Sequence, residues 1–457
     1  LKNHWIAVFG GAVAGSEAAA IMADHGAEVI LFEQNALPYG KIEYGLPKWH
    51  VKLRDKHERS IDEKLTHPHI HYVPLCKLGR DIDFDEICTC WGVSSILLAT
   101  GAWLDRPLPV EGIDKYIGKG LYYQNPFVQW FNQKDDPKYH AENYSVDDET
   151  IIVGGGLASI DVAKIVMIEI FQKAIAKFGK SLDALSIERL GLPKAAESLG
   201  LNIEQLNIKG CSIFYRRRII DMPLSANPQI NTIENWEKTY AVRRKILAKV
   251  KEKYLFDVIE CHSPIRALSN GDHLDGLVFG INRIVDGAIQ PTQEEVIVKA
   301  NLVISSIGSI PEPVKGLNAN GEYMQPVDKA SGKMKCIGNN IFVLGNAIIG
   351  KGNIKESLSN ARQVSESVAT EFLGLSNEDK RDEIEINTPV AGQVARIEEI
   401  IKFTPKPGFG QIKTMATTIK RLQKKAGYDG EYVNWIKKHL PLRLEDIIHE
   451  DEKNVSK

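Results

Sequence analysis

Cysteine is scarce in this chain. There are six in 457 residues (Cys76, Cys88, Cys90, Cys211, Cys261 and Cys336), and none forms a C-x-x-C pair. That excludes a disulfide-stapled scaffold and leaves no adjacent dithiol for thiol–disulfide exchange. It fits buried thiols in a reducing, cytoplasmic compartment. No uninterrupted apolar run reaches the ~18 residues that a membrane span requires. Neither sign of charge dominates: 57 Lys plus Arg stand against 59 Asp plus Glu, a net charge of -2. This balance argues against a protein built to coat nucleic acid. The chain opens on Leu1 and runs at once into an apolar strand, so no signal peptide is expected. What remains is ordinary globular composition, 43% hydrophobic and 25% charged, which excludes disorder and collagen-like repetition. At roughly 150 residues per domain the length suggests two or three domains, large enough to bury cores without staples.

Two stretches share one grammar. Trp5 to Phe9 is an apolar run ending in Gly10-Gly11-Ala12-Val13-Ala14-Gly15, followed by a helical stretch and a second apolar run, Val29 to Phe32, that ends in Glu33. Strand, glycine turn, helix, strand and acid make the first βαβ unit of a dinucleotide-binding fold. The glycines let the backbone approach a pyrophosphate, whose charge rests on the helix N-terminus, and the acid accepts ribose hydroxyls. Ala12 stands where the fingerprint has its second glycine. The pattern returns at Thr150 to Val153, with Gly154-Gly155-Gly156-Leu157-Ala158-Ser159 and a helix from Ile160 to about Phe178. Ser159, in the third glycine position, is still small enough for close helix–strand packing.

Residues 179–209 form an insertion of mixed helical character. Further core strands are expected at Ser212 to Tyr215, Leu277 to Phe279, Val296 to Val298, Leu302 to Gly308 and Ile341 to Asn346, with a helix from Ile354. After about Gly374 the composition turns polar, with an acid-rich run from Glu378 to Glu385. A basic stretch from Gln411 to Lys438 and the acidic Glu450-Asp451-Glu452 then follow, the whole reading as an appended helical segment without its own core. Two clusters invite other readings. His67, His69 and His71 would share a face in a strand, close in sequence to Asp62, Glu63 and Cys76, but Pro68 and the irregular spacing argue against a metal site. Cys88 and Cys90 would share a face in a strand, yet two thiols do not make a metal site. The cation-dense stretch Lys238 to Lys253, with Arg243, Arg244 and Lys245, reads as a solvated helix face or a docking surface for an acidic partner; Lys420, Arg421, Lys424 and Lys425 in the tail could serve likewise.

Several further motifs, in order, carry a resemblance. Gly40 to Pro47 with His50 after it, Gly79-Arg80-Asp81, Leu98 to Ala102, Pro126 to Asn132, Gly154 to Lys164 with Asp161-Val162-Ala163, Tyr215-Arg216-Arg217 and Met222-Pro223 follow the first glycine turn. Through most of residues 4–370 the sequence resembles the adrenodoxin-reductase type of ferredoxin–NADP reductase and its relatives, the glutamate synthase small subunits. It departs from them in lacking N-terminal iron–sulfur cysteines, in placing Asn346 where an aromatic residue or Asp is usual, and in the unmatched tail.

The resemblance implies an α/β chain with two Rossmann-like domains, for FAD and NAD(P), the second inserted in the first, plus a C-terminal helical extension. Expected limits are 1–112 and 326–375 for the FAD domain, 113–325 for the NAD(P) domain and 376–457 for the extension. It implies FAD with Gly10, Ala12 and Gly15 at the pyrophosphate and Glu33 at the ribose. Val13, Ala14, Gly40, Lys41, Thr100 and Gly101 are further cofactor contacts, and Gly345, Asn346, Asn353 and Ile354 lie beside the isoalloxazine. NADP is expected in preference to NAD, with Gly154, Gly156, Leu157 and Ala158 at its pyrophosphate and Arg216 and Arg217 at its 2′-phosphate. Hydride passes between cofactors, so neither a protein nucleophile nor a metal is required, and the implied partner is an iron–sulfur electron-transfer protein. Two alternatives stay open: a reductase of a small substrate, and the flavin subunit of a larger redox complex.

Overall fold

The computed structural model describes residues 4–317, 319–328, 330–334, 340–350, 353–375 and 406–455. Cys336, Lys351, Gly352, the acid-rich run 378–385 and the side chains of Glu450, Asp451 and Glu452 lie outside the described residues. The chain divides into two compact units. One comprises residues 1–46, 51–104 and 309–440, the other 47–50, 105–308 and 441–457. The long crossings therefore fall at 104/105 and 308/309, earlier than the 112/113 and 325/326 expected from sequence.

The first unit is built on a five-stranded parallel sheet in the order Ile341–Val343, Ser95–Leu98, Trp5–Phe9, Glu28–Phe32, Ile70–Val73. Its strands are apolar at nearly every position because both faces are covered, as a parallel sheet requires. Ile6, Val8, Val29 and Leu31 face a layer containing Ala18, Ala19 and Met22 of the Val13–Asp24 helix, with Ala361 and Val364 of the Ile354–Ser367 helix. Ala7, Phe9, Ile30 and Phe32 face Ile87, Trp91, Met415 and Ile419. Small residues on the first helix let it lie close to the sheet. The tail helices Phe409–Ala426 and Tyr432–His439 have no core of their own. They complete this one with Met415, Ile419, Leu422 and Trp435, each buried and each contributing about 1.5–3 kcal/mol.

The second unit repeats the order of four of these strands, with the remaining edge strand supplied from earlier in the chain instead of later. Its parallel strands run Leu121–Tyr123, Val303–Ser306, Thr150–Gly154, Cys211–Phe214, Asp257–Ile259. Beside them lies an antiparallel sheet of His262–Asn270, His273–Val285 and Ala288–Lys299. The Leu157–Ala176 helix is buried over most of its surface, and a helix apolar on more than one face needs cover on several sides. Residues of the 179–209 insertion provide it: Ala184, Ile187, Leu192, Ala195 and Ala196 pack into the same core.

Two local expectations change. Cys88 and Cys90 belong to a helix, Phe84–Cys90, started by Asp83, whose carboxylate accepts the Asp85 and Glu86 N–H groups at 2.9 and 3.1 Å. Two residues apart on a helix, their side chains point in different directions rather than to one strand face. In the His67–His71 stretch, His69 Nδ1 and His71 Nε2 each lie 2.9 Å from one oxygen of Glu28. Burial raises the Glu28 carboxyl pKa, but the hydrogen bonds from His71 and His69 outweigh it and hold the group below the usual glutamate value. Among the described residues no group of three or more His, Cys, Asp or Glu is placed to hold a metal ion, and no helix is long and apolar enough to cross a membrane.

Candidate functional site

The first glycine turn joins Trp5–Phe9 to the Val13–Asp24 helix at the carboxyl end of the sheet, where open α/β folds bind ligands. Its shape is forced by contacts. Gly10 has φ +98°, and an added Cβ would stand 2.5 Å from the Ala99 carbonyl oxygen; on Gly15 it would stand 1.7 Å from the Gly10 oxygen. Ala12 has φ −70°, ordinary for an L-residue, so the missing glycine costs the turn nothing. Distant residues converge here. A Cβ on Gly40 would lie 2.7 Å from that of Ala12, and one on Gly345 would lie 2.7 Å from that of Ala14. The Gly345 N–H donates to Asn360 Oδ1 at 2.7 Å; Asn360 carried no motif and was not anticipated.

Glu33 follows the second strand and is 3% exposed. Its carboxylate accepts the Gly11 N–H at 2.8 Å and the Asn35 N–H at 2.9 Å. Burial pushes its pKa up to about 7 against the pull of those hydrogen bonds. Thr100 Oγ1 is buried without a hydrogen-bond partner, and beside it Gly101, at φ +67°, has open space where a Cβ would be. A buried hydroxyl with no partner is costly unless a ligand meets it. Lys41 is less free: its Nζ donates to Ser309 Oγ at 2.8 Å. Asn353 caps the Ile354–Ser367 helix, accepting the Lys355 N–H at 2.9 Å, and Asn346 opens the short Asn346–Ile349 helix.

The second turn is equally constrained on its inner side and open on its outer side. A Cβ on Gly154 would meet Ser159 Oγ at 2.2 Å and the Ser306 carbonyl oxygen at 2.3 Å; on Gly155 it would meet the Tyr215 ring at 2.1 Å. Ser159 Oγ donates to the Ser306 carbonyl at 3.0 Å, so this serine joins helix to sheet where a glycine would only permit the approach. Gly156 has no atom within 4 Å of a built Cβ. Leu157 and Ala158 are exposed at the N-terminus of a 20-residue helix, where free N–H groups and the dipole favour an anion.

The three arginines after this unit's Cys211–Phe214 strand have different partners. Arg218 makes a two-pronged pair with Asp221, both distances 3.0 Å. Arg217 donates to the Gly287 carbonyl at 2.9 Å and lies 3.9 Å from Asp221. Arg216 is exposed. Asp221 thus engages the third arginine and approaches the second, while the first stays exposed. In the same unit His50 lies 3.9 Å from Asp161.

One expected surface cation proves to be internal. Arg243 is 3% exposed, donating to the carbonyls of Ile220 at 3.2 Å and Ser225 at 3.0 Å and to Asn227 Oδ1 at 2.6 Å. It ties the 220–227 segment to the Ile233–Tyr254 helix and has no part in a docking surface; Arg244 and Lys245 remain exposed. In the tail, Lys425 pairs with Asp81 at 2.9 Å.

No protein-family model matches the chain. It is 27% identical over 139 residues to cindoxin reductase of Citrobacter braakii, covering 30% of this chain and 29% of that one. It is 24% identical over 241 residues to the mitochondrial NADPH:adrenodoxin oxidoreductase of Arabidopsis thaliana, covering 50% and 49%. Over 182 residues it is 27% identical to the glutamate synthase [NADPH] small chain of Bacillus subtilis, covering 38% and 34%. The matched portion thus spans half or less of these relatives. Among solved structures, Mycobacterium tuberculosis FprA in complex with NADPH superposes with a TM-score of 0.64 at 18% identity, over 93% of this chain and 91% of that one. The fold is therefore that of FprA, two Rossmann-like units with a C-terminal helical extension, and the chain is related in sequence to the NADPH:adrenodoxin oxidoreductases and the glutamate synthase small chains.

Proposed function

We propose that the protein is an FAD-dependent oxidoreductase that moves hydride between NADPH and FAD and exchanges electrons with an iron–sulfur protein. The observation that carries this reading is the pair of glycine turns, each forced against its own sheet at the start of a helix, one of them beside the unpartnered Thr100 hydroxyl and the other open at Gly156. Bound FAD and NADPH would supply the redox chemistry. The chain's own residues bind and orient. Gly10, Ala12, Val13, Ala14 and Gly15 would cradle the FAD pyrophosphate, Glu33 the adenosine ribose, and Gly40, Lys41, Thr100, Gly101, Gly345, Asn346, Asn353 and Ile354 the remainder. Gly154, Gly156, Leu157 and Ala158 would receive the NADPH pyrophosphate, with Arg216 and Arg217 at the 2′-phosphate, where guanidinium geometry suits phosphate. No thiol is needed: burial raises the pKa values of both Cys76 and Cys211, making them poor nucleophiles.

Electron exchange with a separate redox protein is supported by the relatives named as reductases of cindoxin and adrenodoxin. Similarity to glutamate synthase small chains favours a second reading, a flavin subunit of a larger complex, which size-exclusion of the protein from its native host would reveal as co-migrating chains. The primary test is direct. Purified protein should be yellow, release FAD on denaturation and bleach on anaerobic addition of NADPH. A colourless protein that cannot be reconstituted with FAD would remove the reading.

A further inference from the structure

The C-terminal extension fastens the loop that leads from Glu33 to Gly40. Within the first unit, Trp435 Nε1 donates to the Ala36 carbonyl at 2.7 Å, an acceptor that Tyr72 also reaches with its hydroxyl at 3.3 Å. Tyr432 donates to Asp62 Oδ1 at 2.7 Å, and Tyr39, at the far end of the loop, donates to the two oxygens of the same carboxylate at 3.0 and 3.1 Å. The rings interlock edge to face: Tyr72 with Tyr428 and Tyr432 at 5.8 and 5.2 Å, and Tyr428 with Trp435 at 5.5 Å. Leu37 and Tyr39 are buried in this cluster at 2% and 1% exposure.

The loop held in this way is part of the first cradle. At its start Asn35 donates to Glu33; in its middle Pro38 lies where a Cβ on Gly11 would come within 2.8 Å of it; at its end Gly40 packs on Ala12. Left to themselves, residues 34–40 have only partial cover from their own neighbourhood, and a loop free to lift would carry Glu33 and Gly40 away from the turn. Part of the fastening comes from Trp435 and Tyr432, nearly 400 residues downstream, and the rest from Tyr72 on Ala36 and Tyr39 on Asp62.

We infer that the extension is a retention clamp for the adenosine end of FAD, with Trp435 and Tyr432 as positioning residues that act through the 34–40 loop. The inference rests on the proposed FAD reading of the first cradle. A clamp of this kind slows release of the dinucleotide without taking part in hydride transfer, since its hydrogen bonds end on the Ala36 carbonyl and on Asp62 rather than on the ligand.

The test compares FAD release from the full-length holoprotein, followed by the rise in flavin fluorescence on dilution, with the rate of flavin reduction by NADPH. Trp435→Phe keeps an aromatic ring but removes the N–H together with part of the buried indole; Tyr432→Phe removes only the hydroxyl and is the cleaner of the two. Each should speed FAD release about tenfold, which corresponds to about 1.4 kcal/mol, while the reduction rate of the flavin still bound stays within twofold of the parent. Lys425→Met is the control, because it cuts a tie between the same extension and Asp81 that does not involve the loop, and it should release FAD at the parental rate. Release unchanged in both aromatic variants, or equally fast in Lys425→Met, overturns the clamp. A parent that binds no FAD has a different signature: it overturns the reading of the cradle and the clamp with it.

Discussion

Gly15 lies so close to Gly10 that a Cβ added to it would stand 1.7 Å from the Gly10 carbonyl oxygen. No rotamer relieves a contact made by the backbone itself. Gly15→Ala should therefore cost roughly 3 kcal/mol and strip the protein of FAD, measured as thermal stability and flavin content. Gly156→Ala is the contrast, since its Cβ would meet nothing within 4 Å. It should leave stability within about 0.5 kcal/mol and raise only the KM for NADPH. Equal destabilisation by the two would contradict the contacts described.

NADPH should be preferred over NADH, and Arg216 should carry more of that preference than Arg217, which is already bonded to Gly287. A 2′-phosphate between two guanidinium groups gains on the order of 100-fold, so Arg216→Ala/Arg217→Ala should lower the NADPH/NADH ratio of kcat/KM by about that factor. Arg218→Ala, which frees Asp221, should change it far less. A parent that favours NADH, or a double variant with an unmoved ratio, counts against the assignment.

Arg243 and its neighbours should separate cleanly. Arg243→Met strands the carbonyls of Ile220 and Ser225 and should destabilise the protein by about 3 kcal/mol. Arg244→Gln/Lys245→Gln should leave stability unchanged and slow reduction of an iron–sulfur acceptor, flattening its dependence on salt, while activity with a small artificial acceptor stays constant. An unchanged rate with the protein acceptor would leave that helix face merely solvated.

Glu33 gives a pH dependence of defined sign. Its folded pKa, about 7, stands above the ordinary glutamate 4.5, so the native apoprotein holds this proton more tightly than the unfolded chain does. The stability contributed is full below about 4.5 and is lost as pH rises through 7. Glu33→Gln is neutral throughout. Relative to the parent, it should gain about 2 kcal/mol between about pH 5 and about pH 7, measured by denaturant unfolding of the flavin-free proteins. A difference independent of pH would show that the carboxyl titrates as if in water.

Much of the two cradles was legible because their signals are local. A strand, a glycine turn and a helix are written within 30 residues, and Gly10, Gly15, Gly154 and Ser159 lie where that grammar puts them. What escaped depends on distant partners. Arg243 reads as solvated because its acceptors are main-chain carbonyls of a loop with no pattern of its own. The helix through Cys88 and Cys90 is short and starts at a side-chain cap, Asp83, so no long periodicity marks it. The His262–Asn270 strand has no continuous apolar run to mark it, and it pairs through two register shifts. The tail, polar in composition, gave no hint that Trp435 and Met415 complete a core begun at Trp5.

The first unit draws on three separated stretches, and the hydrogen bond from Trp435 to Ala36 spans 399 residues. During synthesis, then, the unit that holds Trp5–Phe9 cannot complete its core until Trp435 has been made. Its sheet lacks the Ile341–Val343 strand, and its two faces lack Met415 and Trp435, until those residues have been made, while residues 105–308 can collapse as one continuous run. Nascent chains stalled near residue 320 should already protect Cys211–Phe214 from protease and leave Trp5–Phe9 open. Acquisition of a cofactor by the first cradle becomes a late event, and a chain cut short before its last helices would lose that cradle while keeping most of the second.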